Sequence, residues 1–405
     1  MNIGPYVQTE GLVFGYDTGR QPFSNFDHRV DKRRYFKGEP TVNEFNPNAM
    51  YNGGYGGIGE IRSGELDAFG TTANTVYRKT GKIRFGVTNG VDVGTLYYGN
   101  TYTFSIYMRH VPGYIRTTSS EFDICDRGSS RNYSGTLGSN MTYEWKRFTV
   151  TALHNNSSNY HFIDIGVYQG TNVFEWCCPQ IELKNYATPF VPYGTRSSTQ
   201  SLLDLARTTD INVSNVSFDS TGVMTFDGTD DNISLSTSLI NNLDTAELTT
   251  EAVVYHTAWG TTGSSRPYIA NWNTWNPTTP NQRGFILRTY GTSQNPSFWY
   301  CWGASYNSIT SNISMNLNQY YHVVGVFKKN AYAKIYVNGV EAGTSTVGTG
   351  NNLVYDTSTG TRIGFGTINT GRFVGQLPVT KIYNRALTSR EVKQNYGTYK
   401  TRFDL

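Results

Sequence analysis

Tyr321-His322-Val323-Val324-Gly325-Val326-Phe327, the triplet Lys328-Lys329-Asn330, the run Ala331 to Val337, and Asn338-Gly339 with Val340 and Ala342 behind it decide the fold. The first run is rich in β-branched and aromatic side chains and reads as a strand; the polar triplet reads as a turn. In the next run Ala333, Ile335 and Val337 fall on alternate positions, which gives a second strand one apolar face. Asn338-Gly339 are the residues that accept the positive φ values of a two-residue hairpin, so Val340 opens a third strand.

The same pattern extends in both directions. Toward the C-terminus, Thr361 to Gly366 and Gly375 to Tyr383 read as strands, and Pro378, lacking an N–H, marks an edge or a bulge. Thr388-Ser389-Arg390-Glu391 is a capping box that starts a short helix, expected to run to about Tyr396. Toward the N-terminus, Thr101 to Arg109 sets Tyr102, Phe104 and Ile106 against Thr103, Ser105 and Tyr107. Trp145 to Ala152, Phe162 to Tyr168 and Val173 to Leu183 read as further strands. Many short strands and one terminal helix specify an all-β chain of sandwich type.

Composition agrees. The 405 residues suggest two or three domains. Charged residues make up only 16%, whereas Gly (42), Tyr (30) and Phe (21) are abundant, which excludes a disordered chain. A net charge of +4, with no basic stripe beyond the turn-like Asp31-Lys32-Arg33-Arg34, argues against nucleic acid as a partner. No apolar run approaches the ~18 residues needed to span a membrane. Met1 to Tyr6 lacks the basic and apolar regions of a signal peptide. Cys125, Cys177, Cys178 and Cys301 form no CxxC pair and are expected as buried free thiols. The expectation is a chain folded in a reducing cytoplasm.

Three motifs in order carry a resemblance. Thr225-Phe226-Asp227-Gly228-Thr229-Asp230-Asp231-Asn232-Ile233 resembles the F-D-G-x-D-D-x-I signature of laminin-G-like, concanavalin-type lectin modules. Tyr336-Val337-Asn338-Gly339 resembles their Y-V-N-G hairpin, and Ile382 to Thr388 with Glu391-Val392 resembles their closing Y-N-R-A-L-T-x-x-E-I/V segment. Trp176 to Phe190, with Gln180-Ile181-Glu182 and Ala187-Thr188-Pro189, is similar to the last strand and exit of a carbohydrate-binding-module-like jelly roll found in tailed-phage virion proteins; the adjacent Cys177-Cys178 departs from that pattern. Lectin modules of this kind open with G-L-V-h-h-h-D, which matches Gly11 to Asp17, but the continuation Leu202-Leu203-Asp204-Leu205 comes much later. The resemblance therefore implies two β-sandwich modules, one interrupted by the other. Residues 1–20 supply the first strand of the lectin-like sandwich, residues 21–198 an inserted jelly roll, and residues 199–405 the remainder.

The concanavalin-type fold also carries glucanases, and a retaining glycosidase needs two carboxylates about 5–5.5 Å apart. No E-x-D-x-E is present; Glu60, Glu65 and Asp67 come nearest. Glu247 and Glu251 share a strand face and are expected to point to solvent. No G-x-S-x-G elbow occurs, and the six histidines show no H-E-x-x-H spacing. Gly53-Gly54-Tyr55-Gly56-Gly57 lacks the Lys-Ser/Thr of a phosphate loop. The expectation is a non-enzymatic protein.

Two candidate sites remain. Asp227, Asp230 and Asp231 offer hard oxygen ligands at a spacing that suits calcium, and equally suit Asx turns that bind their own backbone; no other cofactor is implied. Trp272 and Trp275, with Asn273 and Asn276 beside them, have the composition of a carbohydrate platform. Trp299 and Trp302 read either as core or as a second platform. The resemblance implies a bacteriophage virion structural protein, a fibre, whisker or decoration component on head, neck or tail, assembled in the host cytoplasm. Its expected partners are other virion proteins, host surface polysaccharide and further copies of itself as a homo-oligomer. A dedicated glycan-binding adhesin and a polysaccharide-degrading enzyme are the alternatives.

Overall fold

The computed structural model describes residues 7–18, 40–45, 59–81, 83–86, 99–114, 121–126, 131–136, 141–153, 161–165, 173–191, 194–202, 204–206, 208–218, 223–261, 264–272, 283–302, 305–349, 352–358, 360–366 and 371–405. The first strand, β1 (Leu12–Asp17), belongs to one unit with everything from Ser198 onward; the residues described between Pro40 and Ser197 form a second unit.

The second unit holds β2 (Thr41–Asn43), β3 (Glu60–Ile61), β4 (Tyr77–Thr80), β5 (Ile83–Gly86), β6 (Thr101–His110), β7 (Glu121–Asp126), β8 (Arg131–Thr136), β9 (Lys146–Leu153), β10 (His161–Ile165), β11 (Val173–Glu182) and β12 (Gly194–Arg196). They form a five-stranded sheet in the order β3-β4-β11-β6-β9, a four-stranded sheet β5-β10-β7-β8 and the pair β12-β2, all antiparallel. Tyr102, Phe104, Ile106 and Met108 alternate along β6 and pack with Phe174, Trp176 and Ile181 of β11. The Cys pair sits at an irregularity in β11, where pairing with β6 slips between Cys177 and Gln180 and Cys178 adopts a φ of 57°. A bulge of this kind re-aims the residues after it. Beyond it Gln180 and Glu182 latch the chain's exit. Thr188 donates its N–H to Glu182 at 3.0 Å, Thr41 donates its hydroxyl to the same carboxylate at 2.8 Å, and Val191 N–H donates to Gln180 at 2.7 Å. Cys177, Cys178 and Cys301 are buried free thiols.

The first unit continues with β13 (Ile211–Ser214), β14 (Ser217–Phe218), β15 (Met224–Asp227), β16 (Asn232–Leu235), β17 (Glu247–His256), β18 (Ser265–Trp272), β19 (Gly284–Tyr290), β20 (Ser297–Trp302), β21 (Ser305–Thr310), β22 (Tyr320–Lys328), β23 (Tyr332–Val337), β24 (Val340–Thr346), β25 (Arg362–Ile363), β26 (Val374–Tyr383) and the helix α1 (Ser389–Phe403). One sheet runs β14-β15-β26-β17-β22-β23-β24 with β1 also on β26; the other runs β13-β16-β25-β18-β19-β20-β21. Apolar side chains from the facing surfaces make one core, including Phe14, Phe226, Val254, Phe285, Phe298, Phe327 and Ile363. The sheets approach closely at Gly325, where an added Cβ would lie 2.5 Å from the Phe298 ring. The chain is nearly all β, a concanavalin-like sandwich with a second β unit.

β26 organises its sheet. One edge pairs with β17 along most of its length; the other is shared end to end by β15, opposite Val374 to Gln376, and β1, opposite Val379 to Tyr383. Pro378 stands at the junction, where pairing with β17 slips between Val253 and Tyr255. It therefore occupies a bulge inside the sheet, where its missing N–H breaks no ladder bond. Asn338 and Gly339 have φ values of 49° and 75° between the paired Val337 and Val340, as a two-residue hairpin requires.

The helix is longer than the expected end near Tyr396. Both halves of the capping box are present, and Glu391 also takes a two-pronged ion pair from Arg385 at 2.7 and 3.0 Å. Bonds from Arg385, set against burial and aided by Thr388, hold the Glu391 carboxyl down at about 2. Val392, Asn395, Tyr399 and Phe403 give α1 a buried stripe on the sheet, and this packing carries it through Gly397 to a left-handed cap at Asp404.

That contact corrects the expectation for Glu251. The residue is fully buried, because the face of β17 that carries it is covered by α1 and the N-terminal segment rather than by water. His322 Nε2 donates to Glu251 at 2.8 Å, Tyr383 at 3.0 Å and Asn395 at 2.9 Å. Burial pushes the Glu251 carboxyl up, but the buried Lys381 charge and these bonds outweigh it and hold the carboxyl below its usual value. Lys381 also donates to Tyr399 of the helix, and Asn395 accepts from Gln8 N–H at 2.8 Å. Glu247, four residues away, is half-exposed and bonds Lys328 at 2.9 Å and Ala386 N–H at 2.9 Å.

Two outcomes are expected. Glu251→Gln leaves Lys381 buried without its main counter-charge and should cost about 3 kcal/mol, read from the urea midpoint; an unchanged midpoint would show the network to be dispensable. A chain cut to residues 199–405 bares the β26 edge from Val379 to Tyr383. It should melt well below the full chain or precipitate, and a peptide of residues 7–18 should restore it, followed by circular dichroism and light scattering.

Candidate functional site

Strand alternation assigns the outer surface of the β13–β21 sheet. On β19, Phe285 and Leu287 enter the core while Ile286, Arg288 and Tyr290 face away; on β20, Phe298 and Tyr300 enter it while Trp299 and Cys301 face away. Ala270 and Trp272 of β18 and Tyr306 of β21 join this outward group. The result is a ladder. Trp299 and Tyr306 stack with ring centroids 4.9 Å apart and planes 8° from parallel. Trp272 meets both edge-on, at 6.2 and 6.4 Å. The Arg288 guanidinium lies 4.2 Å over the Trp299 ring and 4.7 Å over the Tyr290 ring. Tyr290 is 42% exposed, and Trp299 and Tyr306 are half-buried. Rings that present an apolar face and a polar tip at a surface suit ligands that are apolar on one side and hydroxylated on the other.

The ladder changes the weight of the tryptophans. Trp272, expected as an exposed platform, is only 6% exposed. Its place on β18 sets it against Trp299 and Tyr306, so it backs the ladder instead of offering a face. Trp275, Asn273 and Asn276 lie outside the described residues, as does the Gly53–Gly57 run. Trp299 is the outward residue of its strand, whereas Trp302 packs against the core. Arg288, Tyr290 and Tyr306 were missed. Their signal was the alternation Phe285-Ile286-Leu287-Arg288-Thr289-Tyr290, in which an arginine and a tyrosine fall on one face.

Asp227, Asp230 and Asp231 come together at the turn between β15 and β16, with one ligand atom of each within 4.8 Å of the others. Asp227 N–H donates to Asp231 at 2.6 Å, Thr229 N–H donates to Asp227 at 2.6 Å, and Asn215 donates to Asp230 at 2.7 Å. The first two are the bonds of an Asx-type turn. A hard cation would find carboxylate oxygens there, but each acid already has a hydrogen-bond partner, Asp230 from outside the turn. Burial raises the Asp231 carboxyl to about 6, with the neighbouring Asp227 and Asp230 charges adding to the shift against the bond from Asp227 N–H.

The carboxylates nearest to a glucanase pattern are engaged elsewhere. Asp67 accepts from Phe69, Thr71 and Asn74, and these bonds overcome burial to lower its carboxyl below the usual value. Glu65 faces Arg109 at 3.4 Å, and Glu60 pairs with Arg62 at 3.1 Å. The motifs behind the lectin resemblance are likewise scaffold. Tyr336 bonds Ser389 at the helix start at 2.9 Å, and the Asn338 side chain accepts from His322 N–H at 2.9 Å.

Residues 227–393 match the family described as the concanavalin A-like lectin/glucanases superfamily. No curated protein matches the chain. Among solved structures it is similar to the binding domain of Paraclostridial Mosquitocidal Protein 1, at 12% identity and a TM-score of 0.36 over 49% of each chain. The binding domain of botulinum neurotoxin serotype G gives 16% and 0.38, over 50% of this chain and 49% of that one. Domain 4 of AbnA, an extracellular arabinanase of Geobacillus stearothermophilus in complex with arabinotriose, gives 15% and 0.37, over 49% of this chain and 93% of that one. The chain spans about half the length of the first two.

The Asp231 shift gives a signed expectation. A carboxyl whose folded pKa is raised contributes stability below its ordinary value of 3.8, and that contribution is lost as pH rises through about 6. Asp231→Asn should therefore raise the melting temperature at pH 7.5, with the gain fading toward pH 4. A calcium-dependent rise in melting temperature that the wild type shows and the variant lacks would assign a cation to the turn; indifference to calcium and chelator would leave the turn reading alone.

Proposed function

We propose that the chain is a non-enzymatic structural protein of a tailed-phage virion, a fibre, whisker or decoration component, whose lectin-like sandwich contacts host surface polysaccharide. The observation that carries the glycan contact is the outward ladder of Tyr290, Arg288, Trp299 and Tyr306 on a sheet of that sandwich. Support for the virion assignment comes from the pairing of a lectin-like module with a jelly-roll-like exit segment, and from a first strand that lies on β26 although the second unit separates the two in sequence. Support for the absence of catalysis comes from the acidic side chains, since those nearest to a catalytic pair are tied into ion pairs or loop bonds. Assembly with other virion proteins and as a homo-oligomer belongs to the same reading. Among the described residues no helix is long and apolar enough to cross a membrane.

Two measurements test this. On a glycan array the full chain should bind a subset of bacterial surface polysaccharides. Trp299→Ala should weaken that binding about thirtyfold, the cost of a central aromatic anchor of about 2 kcal/mol, with the melting temperature nearly kept. No binding to any glycan would remove the contact, and release of reducing sugar would favour the enzyme alternative. Mass spectrometry and immunogold labelling of purified virions should find the protein on the particle; its absence from virions would overturn the structural role.

A further inference from the structure

Among the described residues Arg288 has no ion-pair partner. It is only 4% exposed, and its Nε and Nη2 have no hydrogen-bond partner. The guanidinium lies over the rings of Tyr290 and Trp299, but a ring face attracts the cation without satisfying the N–H donors at its edge. Nε and Nη2 lie side by side on one edge, the fork that matches the two oxygens of a carboxylate. Ser297, directly across the strand pair from Arg288 and so on the same face, is also buried with an unpartnered hydroxyl. Burial lowers Arg288 to about 10, as expected of a guanidinium without a counter-anion.

The sequence around it supplies no acid. Between Glu251 and Glu341 there is no Asp or Glu, although Arg266, Arg283 and Arg288 fall in this stretch. Arg362 of β25, paired with the outward Ala270, adds a second cation to the same face, with no ion pair among the described residues. An unpaired buried charge is costly, and fixed proteins meet it with a partner. Resting on the glycan-contact reading above, we infer that this face takes an acidic polysaccharide. A uronic-acid-type carboxylate meets the Nε–Nη2 edge of Arg288, and sugar rings lie along Tyr290, Trp299 and Tyr306. The Nε–Nη2 edge is buried in this structure, so the side chains around it must part to admit the anion.

Titration calorimetry of the full chain with oligogalacturonate and with its neutral methyl ester separates the acidic ligand from the glycan contact at large. The acid should bind about tenfold or more tightly than the ester, an advantage that shrinks as salt rises. Arg288→Gln should bring the acid down to the ester's affinity and abolish the salt dependence of the difference between them. Arg288→Lys, which keeps the charge but not the fork, should fall between. Equal affinity of the wild type for acid and ester overturns the inference and leaves the glycan contact standing; binding of neither, together with silence across a panel of neutral and acidic glycans, overturns both. Should Arg288→Gln fail to fold, the acid-to-ester ratio of the wild type and its salt dependence decide between these outcomes.

Discussion

A carboxylate buried without water must be surrounded by donors, and Glu251 is surrounded by donors from widely separated parts of the chain. His322 reaches it from β22, Tyr383 from β26 and Asn395 from α1, while Asn395 also accepts from Gln8 just before β1. Lys381 supplies the opposing charge and bonds the helix through Tyr399. The charge can stay in the interior only while helix, N-terminal segment and three strands are together. The extended α1 and the pairing of β1 with β26 close over this cluster, and the core between the sheets lies on its other side.

The motifs that make the chain recognisable serve this scaffold. Arg385 and Glu391 lock the helix start, Tyr336 and Asn338 tie the hairpin to its neighbours, and Asp227 with Asp231 shapes a turn. In the second unit Gln180, Glu182 and Thr188 play the same part at the exit of β11. Such residues are constrained by backbone geometry, and so they mark the fold. The outward ladder of Arg288, Trp299 and Tyr306 is marked by contacts among its own side chains, a cation over a ring and a ring stacked on a ring. A binding surface of this kind is free to differ between proteins that share the scaffold.

Much of the fold was legible because strand burial has a period of two. The run from Tyr321 to Ala342 declared two strands, a hairpin and a third strand, and the φ values of Asn338 and Gly339 follow from its residue types. The candidate face was half legible. An aromatic-rich run ending in Trp302 was visible, but whether Trp299 or Trp302 faces outward depends on which side of the sheet holds the core. Trp272 misled for the same reason, since its neighbours in sequence are polar while its neighbours in space are Trp299 and Tyr306.

By itself the sequence determined what local chemistry can determine: an all-β chain, its hairpin, its capping box and the free thiols Cys177, Cys178 and Cys301, while the side chain of Cys125 lies outside the described ones. Alternation and turn residues act over a few positions and need no distant partner. Only the tertiary structure decided that Glu251, on a face that could have been wet, is sealed by a helix more than a hundred residues away in sequence. Only it decided that Arg288 lies over the rings of Tyr290 and Trp299 with Nε and Nη2 unanswered. Burial and pairing of a charge are set by whatever the whole chain folds against it, and no local pattern records that.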